Sequence, residues 1–265
     1  MAQDSEYGFF FGGAYYIGDL NSEHFSQQNW AVGGIYRHHF KNERVVFRLN
    51  CIYGHVQADD KKSGLQNQIN RNLSFRSSVL EIGPLFEVNF FPYKLGQTRT
   101  DQEKFGTPYF FGGITYLNMN PKAQLKDSEG NFYQEWQELQ PLGTEGQGTN
   151  LNSKKEYSLS QISMPVGIGV KLNLSQSIAM SLEYGIRKTF TDYLDDVSGQ
   201  YPDNNELSNQ AGPLSATFSD RRLDNSSNPN YNLQRGNPND KDWYSFWGMM
   251  ITFRFNTEPS CPTWQ

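Results

Sequence analysis

The chain is built from segments in which apolar and polar residues alternate, and most of these segments end in glycine, asparagine or a charged residue. In the clearest one, from Leu80 to Phe90, apolar side chains occupy the even positions, and Glu81, Glu87 and Asn89 lie among the odd ones. A period of two residues is typical of a β-strand with one apolar face. The pattern predicts eight strands, with approximate bounds 7–17, 30–40, 44–56, 80–90, 108–117, 163–172, 180–187 and 243–256.

The connections between these strands alternate in length. The turns at 40–44 and 173–177 are tight, whereas 59–77, 118–158 and 191–242 are long and rich in Asn, Ser, Asp and Gly. Long loops at one rim and short turns at the other are typical of outer-membrane barrels, whose short turns face the periplasm. The sequence therefore predicts an all-β fold: an eight-stranded antiparallel transmembrane β-barrel with periplasmic termini and long extracellular loops.

A soluble barrel of the lipocalin type is the alternative, because it also alternates but turns its apolar face inward around a ligand. Two features favour the membrane. Glycines cluster on the ionisable faces, where a narrow lumen needs small side chains. Aromatic residues also collect near strand ends, as in the girdles at a membrane–water interface. The predicted girdle consists of Trp30, Tyr53, Tyr93, Tyr109, Trp243 and Trp247.

The composition of the chain further restricts the class of protein to which it can belong. The 265 residues contain no apolar run of about 18 residues, which a transmembrane helix would need. A mean hydropathy of -0.70 suits a barrel, in which only alternate strand residues face lipid. A net charge of -5 argues against a nucleic-acid partner. We expect residues 1–256 to form a single outer-membrane barrel domain, preceded originally by a removed signal peptide, and 257–265 a periplasmic C-terminal tail.

Few motifs point to catalysis or to a cofactor. The four histidines show no metal-ligand spacing, and no G-x-S-x-G motif occurs. Cys51 and Cys261 are expected to be free thiols. The acidic run at 192–198 has two interpretations: its carboxylates are hard ligands suited to Ca²⁺, or they form a solvated or capping turn. We expect no catalytic residue, no metal and no cofactor.

The polar faces of the strands place ionisable side chains in the lumen. An eight-stranded barrel is only just wide enough for its interior side chains, so these charges predict a salt-bridged plug. A path for an ion or a solute is the alternative. Because Arg48 and Arg187 lie on the lumen side of their strands, we expect them to form the ion pairs with Glu87 and Glu183. The predicted network comprises Arg37, Arg44, Arg48, Glu81, Glu87, Lys171, Glu183, Arg187 and Arg254.

The turn at 93–105 is long and charged for a periplasmic turn. Such charges suit recognition of a partner protein at this rim, as does the extra length of the C-terminal tail. A solvated turn and a frayed terminus are the alternative. The candidate partner contacts are Lys94, Arg99, Asp101, Glu103 and Lys104.

Several motifs, taken in order, resemble the PorG family. They are the loop segments 144–148, 187–198 and 235–237, the last lying shortly before 242–244, together with the strand segments 12–20 and 108–114. The resemblance extends over nearly the whole chain. Its loop positions are Thr144, Glu145, Gly146, Gln147, Gly148, Asp192, Tyr193, Asp195, Asp196, Arg235, Gly236 and Asn237.

The resemblance implies a function that the residue pattern alone does not. PorG is the outer-membrane component of the type IX secretion system of Bacteroidetes, needed for cargo secretion and, in gliding species, for motility adhesins. It is associated with a periplasmic ring built by the lipoprotein PorK and by PorN. The expected function is a non-enzymatic subunit that anchors or assembles this ring. The alternatives are a small surface or envelope-stabilising barrel without a secretion role, and an outer-membrane enzyme.

Overall fold

The computed structural model describes residues 5–97, 104–125, 135–222 and 230–255. The strands of these residues are β1 Ser5–Ile17, β2 Asn29–His39, β3 Val45–Asp59, β4 Ser74–Asn89, β5 Gly106–Gly113, β6 Thr115–Ala123, β7 Gln137–Glu138, β8 Ser160–Asn173, β9 Ile178–Thr189 and β10 Trp243–Phe255. Antiparallel pairing runs from β3 through β2, β1, β10, β9, β8 and β5 to β4, and a further pairing of β3 with β4 closes the ring. The predicted antiparallel barrel is confirmed.

β5 and β6 together form one of the eight barrel strands. Both pair with β4 in a single register, in which Leu85 opposes Gly113 and Ile82 opposes Tyr116. The interruption between them, at Ile114, lies beside Pro84, whose ring nitrogen has no hydrogen to donate to the ladder. The ring thus has eight strands as predicted, and the two-residue β7 only extends the β6 edge.

Two strands extend beyond their predicted bounds at the same end of the barrel. β4 begins at Ser74 rather than at residue 80, and β6 continues to Ala123 rather than ending at residue 117. These extensions pair with each other, since Arg76 opposes Lys122. Their outward residues are polar, whereas inward ones such as Phe75, Met119 and Ala123 are apolar and buried, so the apolar-outward alternation that identified the other strands is reversed in them.

The long loops contain helices that the alternation pattern did not predict. These are α1 Gln66–Arg71, α2 Asn204–Ala211 and α3 Pro213–Ser219, with short 3-10 turns at Asp60–Lys62 and Gln140–Leu142. No helix of the described ranges is long and apolar enough to span a membrane.

The barrel is apolar outside, and its interior combines buried charges with an apolar cluster that includes Phe10, Ile52 and Met250. Phe9, Ile168 and Leu182 are 53%, 60% and 57% exposed on the outer surface, whereas Glu87 and Arg187 are completely buried in the lumen. A barrel of the lipocalin type has the reverse polarity. This arrangement is that of a barrel surrounded by lipid.

The two ends of the barrel differ. The described chain ends, Ser5 and Phe255, lie at the same end as the turns at 40–44 and 174–177, which we call the short-turn end. The opposite, long-loop end carries 18–28, 60–73, 124–125, 135–159, 190–222 and 230–242. Trp30, Tyr53 and Trp247 are exposed near the long-loop end, as a girdle requires.

The girdle prediction was wrong for Tyr93 and Tyr109, which are both buried. Tyr109 lies on the inward side of β5, while its neighbour Phe110 points outward and is exposed. This facing was ambiguous in the sequence because aromatic residues occupy both sides of the strand.

Candidate functional site

Among the residues that the structure describes, the barrel interior holds equal numbers of buried positive and negative side chains. Because a lone buried charge is costly to desolvate, such a set is stable only when its members are paired. Within the described part of the chain the buried lumen charges are the carboxylates Glu6, Glu81, Glu87 and Glu183 and the cations Arg37, Arg48, Lys171 and Arg187.

Glu87 of β4 is the centre of this network. Its carboxylate accepts from Arg37 Nε at 2.8 Å, Arg48 Nη1 at 2.9 Å and Lys171 Nζ at 2.8 Å. The three cations come from β2, β3 and β8, so one carboxylate joins strands on opposite sides of the barrel. Arg48 also pairs with Glu183 of β9. These contacts cross the lumen and fill it.

A second group closes the lumen nearer the long-loop end. Arg187 Nε donates to Glu81 Oε2 at 3.1 Å, and the Tyr244 hydroxyl donates to the same oxygen at 2.8 Å. The Arg187 guanidinium also lies 4.7 Å from the centroid of the Phe246 ring. Arg187 therefore pairs with Glu81 rather than with Glu183, the partner that its facing had suggested.

The short-turn end of the lumen is closed by a third group. Glu6 Oε1 lies 2.9 Å from His39 Nε2, and Glu6 Oε2 accepts from the Thr252 hydroxyl at 2.6 Å. Below them the turn after β4 buries Tyr93 and Leu95 in the barrel mouth. The Tyr93 hydroxyl donates to Asn173 Oδ1 at 2.5 Å, which fixes this turn across the opening.

Two residues of the predicted lumen network lie elsewhere. Arg44 is exposed in the turn between β2 and β3, where its Nη1 donates to the Phe90 carbonyl oxygen. The prediction was wrong because the strand begins one residue later, so the alternation does not extend to Arg44. Arg254 opposes Glu6 in the register but lies half-buried beside Gly96, at the edge of the mouth.

Glu6 was not among the predicted network residues, although its position on the polar side of β1 indicated the lumen. Tyr109 and Tyr244 were also missed, since Tyr109 was predicted for the girdle and no facing was predicted for Tyr244. The Tyr109 hydroxyl donates to Glu183 Oε2 at 2.9 Å.

The candidate partner contacts lie in the same turn that closes the barrel mouth. Lys94 is exposed between the buried Tyr93 and Leu95. Lys104 Nζ lies 2.8 Å from Glu43 Oε2, which connects this turn to the neighbouring one. Arg99, Asp101 and Glu103, and the tail at 257–265, lie outside the described residues.

The long-loop end is covered by a layer of loops, the cap, in which the three loop motifs meet. Arg235 Nη1 donates to Glu145 Oε1 at 3.0 Å and to the Asp196 carbonyl oxygen at 2.5 Å. Asp196 also accepts from the hydroxyls of Thr144, at 2.5 Å, and Tyr157, at 2.7 Å. Segments 39 to 90 residues apart in the sequence thus share one buried hydrogen-bond network.

The other motif positions complete the cap. Gly146 and Gly148 adopt φ values of +78° and +76°, which favour glycine. The Gln147 side chain accepts from the Glu145 amide at 2.9 Å, and the Asn237 amide donates to Asp19 Oδ2 at 3.0 Å.

A pair of buried carboxylates lies between the cap and the lumen. The Tyr16 hydroxyl contacts Asp195 Oδ2 at 2.5 Å and Asp242 Oδ1 at 2.9 Å. One hydroxyl hydrogen cannot satisfy both contacts, so a proton on one carboxyl group must supply the other. Burial, followed by repulsion from other carboxylates, raises the pKa of Asp195 and of Asp242 well above the usual range.

The acidic run at 192–198 is therefore a buried capping turn, with Asp195 Oδ1 accepting from the Val197 amide at 2.9 Å. Burial raises the pKa of Asp192 and of Asp196 to about 6, although the Arg235 guanidinium opposes the shift at Asp196. The ranges that the structure describes contain no group of three or more His, Cys, Asp or Glu residues arranged to hold a metal.

These shifts predict that the cap is more stable in acid than in base. Each carboxyl group binds its proton more tightly in the folded cap than in an unfolded chain, where the pKa is about 3.9. The resulting stabilisation is complete below pH 4 and is lost as the pH rises through 6 and above. We expect the exchange protection of the Leu194 and Val197 amides, corrected for intrinsic rate, to fall about tenfold between pH 5 and pH 8.

The variant Asp195→Asn tests whether titration of this carboxyl group causes the loss of protection. Its side-chain amide can donate to the Tyr16 hydroxyl but has no proton that titrates. In that variant the loss of protection should be smaller, because position 195 no longer titrates while Asp192 and Asp196 still do. The Leu207 amide of α2, which donates to the Asp203 carbonyl oxygen, is the internal control. Equal pH dependence in the variant and the original chain would contradict the explanation.

The closed ring, the apolar outer surface and the paired lumen charges together define the class: this is an integral outer-membrane β-barrel protein. The sequence model of the family "Domain of unknown function (DUF6089)" matches residues 1–139 and 145–217, and the chain belongs to this family. No curated protein matches the chain.

Solved structures similar to the chain are small outer-membrane proteins. The attachment invasion locus protein Ail of Yersinia pestis has 8% identity and a TM-score of 0.43, covering 96% of this chain and 100% of that one. OprG from Pseudomonas aeruginosa has 11% identity and a TM-score of 0.42, covering 97% of each chain. Neisserial surface protein A has 9% identity and a TM-score of 0.41, covering 95% of this chain and 97% of that one.

Proposed function

We propose that this protein is a non-enzymatic outer-membrane subunit of a type IX secretion machinery and that it anchors or assembles a periplasmic ring. The observation that carries the proposal is the closed lumen. Glu87 with its three cations fills the middle, and Tyr93 and Leu95 fill the short-turn mouth. A barrel closed in this way suits an anchor better than a conduit. The PorG-like motifs supply the identity of the machinery.

The partners in this proposal are a PorK-like lipoprotein and a PorN-like ring protein, and the contact surface is the turn at 93–105. Part of this turn has a structural role, because Tyr93 and Leu95 close the barrel. Lys94 lies between them with its side chain exposed, so its charge is available to a partner. The other candidate charges of the turn are Arg99, Asp101, Glu103 and Lys104.

Charge reversal in the turn tests this surface without disturbing the mouth. In the double variant Lys94→Glu/Arg99→Glu, we expect an intact, heat-modifiable barrel, because neither substitution removes Tyr93 or Leu95. Co-purification of the ring proteins from solubilised membranes should fall about tenfold, with a matching loss of cargo secretion, since like charges across an interface are repulsive.

Lys62→Glu/Lys155→Glu is the matched control, because it also reverses two charges and both lysines are exposed at the long-loop end. This variant should retain both the ring proteins and secretion. Normal secretion from the double variant would place the partner surface elsewhere. Equal losses in both variants would mean that the effect comes from the net charge of the protein and not from this surface.

A second candidate function is a surface-binding barrel without a secretion role. A hollow of about 800 Å³ on the cap favours it, since the hollow is lined by polar side chains including Asn152, Gln234, Asn237 and Tyr201. Such a barrel would bind an external ligand and would not co-purify with ring proteins. The pull-down described above therefore separates the two functions.

A further inference from the structure

The outer surface of the barrel changes from apolar to polar at one level on the neighbouring strands β3 and β4. On β3 the outward residue Tyr53 is followed by His55, and on β4 Leu80 is preceded by Ser78 and Arg76. The register aligns these steps, because Tyr53 opposes Leu80 and His55 opposes Ser78. The level marks the edge of the lipid band nearest the long loops.

A shallow groove of about 310 Å³ lies just above this edge, on the surface that faces the membrane. Trp136 forms one side of it, with its ring centroid 6.0 Å from the Arg76 guanidinium carbon. Aromatic side chains at this depth are typical of a membrane–water interface. The groove is lined by Tyr53, His55, Arg76, Ser78, Asn120, Lys122 and Trp136.

The charges of this groove are unequally paired. Lys122 Nζ lies 2.8 Å from Glu138 Oε1, which leaves little net charge there. Arg76 has no carboxylate within ion-pair distance in the described ranges, and no described residue accepts a hydrogen bond from its Nη1 or Nη2 atom, whereas its Nε atom is buried and closed to a ligand. A guanidinium that faces outward at this depth therefore has donors available to a ligand.

We propose that this groove binds the phosphate-bearing head group of an outer-leaflet lipid, with Arg76 as its main cationic contact. Three observations favour that occupant. The groove lies on the outer surface of the barrel, on the outward side of β3, β4 and β6. It lies at head-group depth, directly above the apolar band. Its available donors form a guanidinium fork, which matches the geometry of a phosphate.

Native mass spectrometry of the purified barrel with lipid A tests the proposal. Bisphosphorylated lipid A is the probe, and the same lipid after phosphatase treatment is its uncharged counterpart. The unmodified barrel should retain the phosphorylated form preferentially. Arg76→Gln should lower this retention about tenfold, because it removes a charge-assisted contact, and should leave retention of the dephosphorylated form unchanged. Arg76→Lys should give an intermediate value, because it keeps the charge but loses the fork.

Lys188→Gln is the matched control, because Lys188 is an exposed cation 5.7 Å from the Trp243 ring at the same rim, outside the groove. This variant should retain phosphorylated lipid A normally. Arg76 faces outward, so heat modifiability of all three variants should be unchanged. Equal retention by Arg76→Gln and the unmodified barrel, or equal losses in Arg76→Gln and Lys188→Gln, would overturn the proposal.

Discussion

Glu87→Gln should lower the free energy of unfolding by about 3–5 kcal/mol, the usual cost of removing one member of a buried ion pair. The expected loss is large because Glu87 is the shared partner of Arg37, Arg48 and Lys171. The substitution keeps the size of the side chain but leaves a surplus positive charge in the lumen. Reversible urea unfolding from lipid vesicles measures the change.

The matched control is Glu138→Gln, which removes the partner of Lys122 at the exposed rim. An exposed ion pair contributes about 0–1 kcal/mol, so this variant should unfold almost as the original does. A loss below 1 kcal/mol in Glu87→Gln would mean that the lumen charges are not coupled through this carboxylate. It would also weaken the case for a closed barrel, and with it the case for an anchor.

Leu182→Arg should destabilise the barrel by about 2–4 kcal/mol, the cost of placing a cation near the bilayer midplane. Leu182 is exposed and lies at the middle of the outward series of β9, which runs from Ile178 to Ile186. Its neighbours across the ladder are Met249 and Val170, which are also outward and apolar. The same vesicle assay provides the measurement.

Ile178→Arg tests whether this cost depends on depth, because Ile178 is the first residue of β9 and lies at the short-turn edge of the band. An arginine near the interface should cost only about 0–1 kcal/mol. Ser181→Ala, on the lumen side, removes a contact with Arg37 at 3.2 Å and should cost about 1 kcal/mol. Equal costs for all three variants would contradict the assigned facing of β9.

The strands and their facing were accessible from sequence because they depend on local rules. Side chains alternate sides along any strand, so the positions of Glu81, Glu87 and Glu183 among apolar residues indicated the lumen without knowledge of their partners. The pattern of apolar outward residues ends where a strand leaves the lipid, because no apolar surroundings then favour them. Beyond the lipid band the outward residues become polar while inward ones such as Phe75 and Met119 are apolar, so the first residues of β4 and the last of β6 did not fit the pattern and were missed.

The sequence by itself thus determined the class of fold, the side on which each lumen charge lies, and the alternation of short turns with long loops. Only the tertiary structure decided which charges meet, because the register depends on pairing between distant strands. It paired Arg187 with Glu81, placed Tyr93 in the mouth, and left Arg44 outside the lumen. It also joined Glu145, Asp196 and Arg235 in one cap, since the conformation of a long loop is determined by contacts with other loops rather than by its own residue pattern.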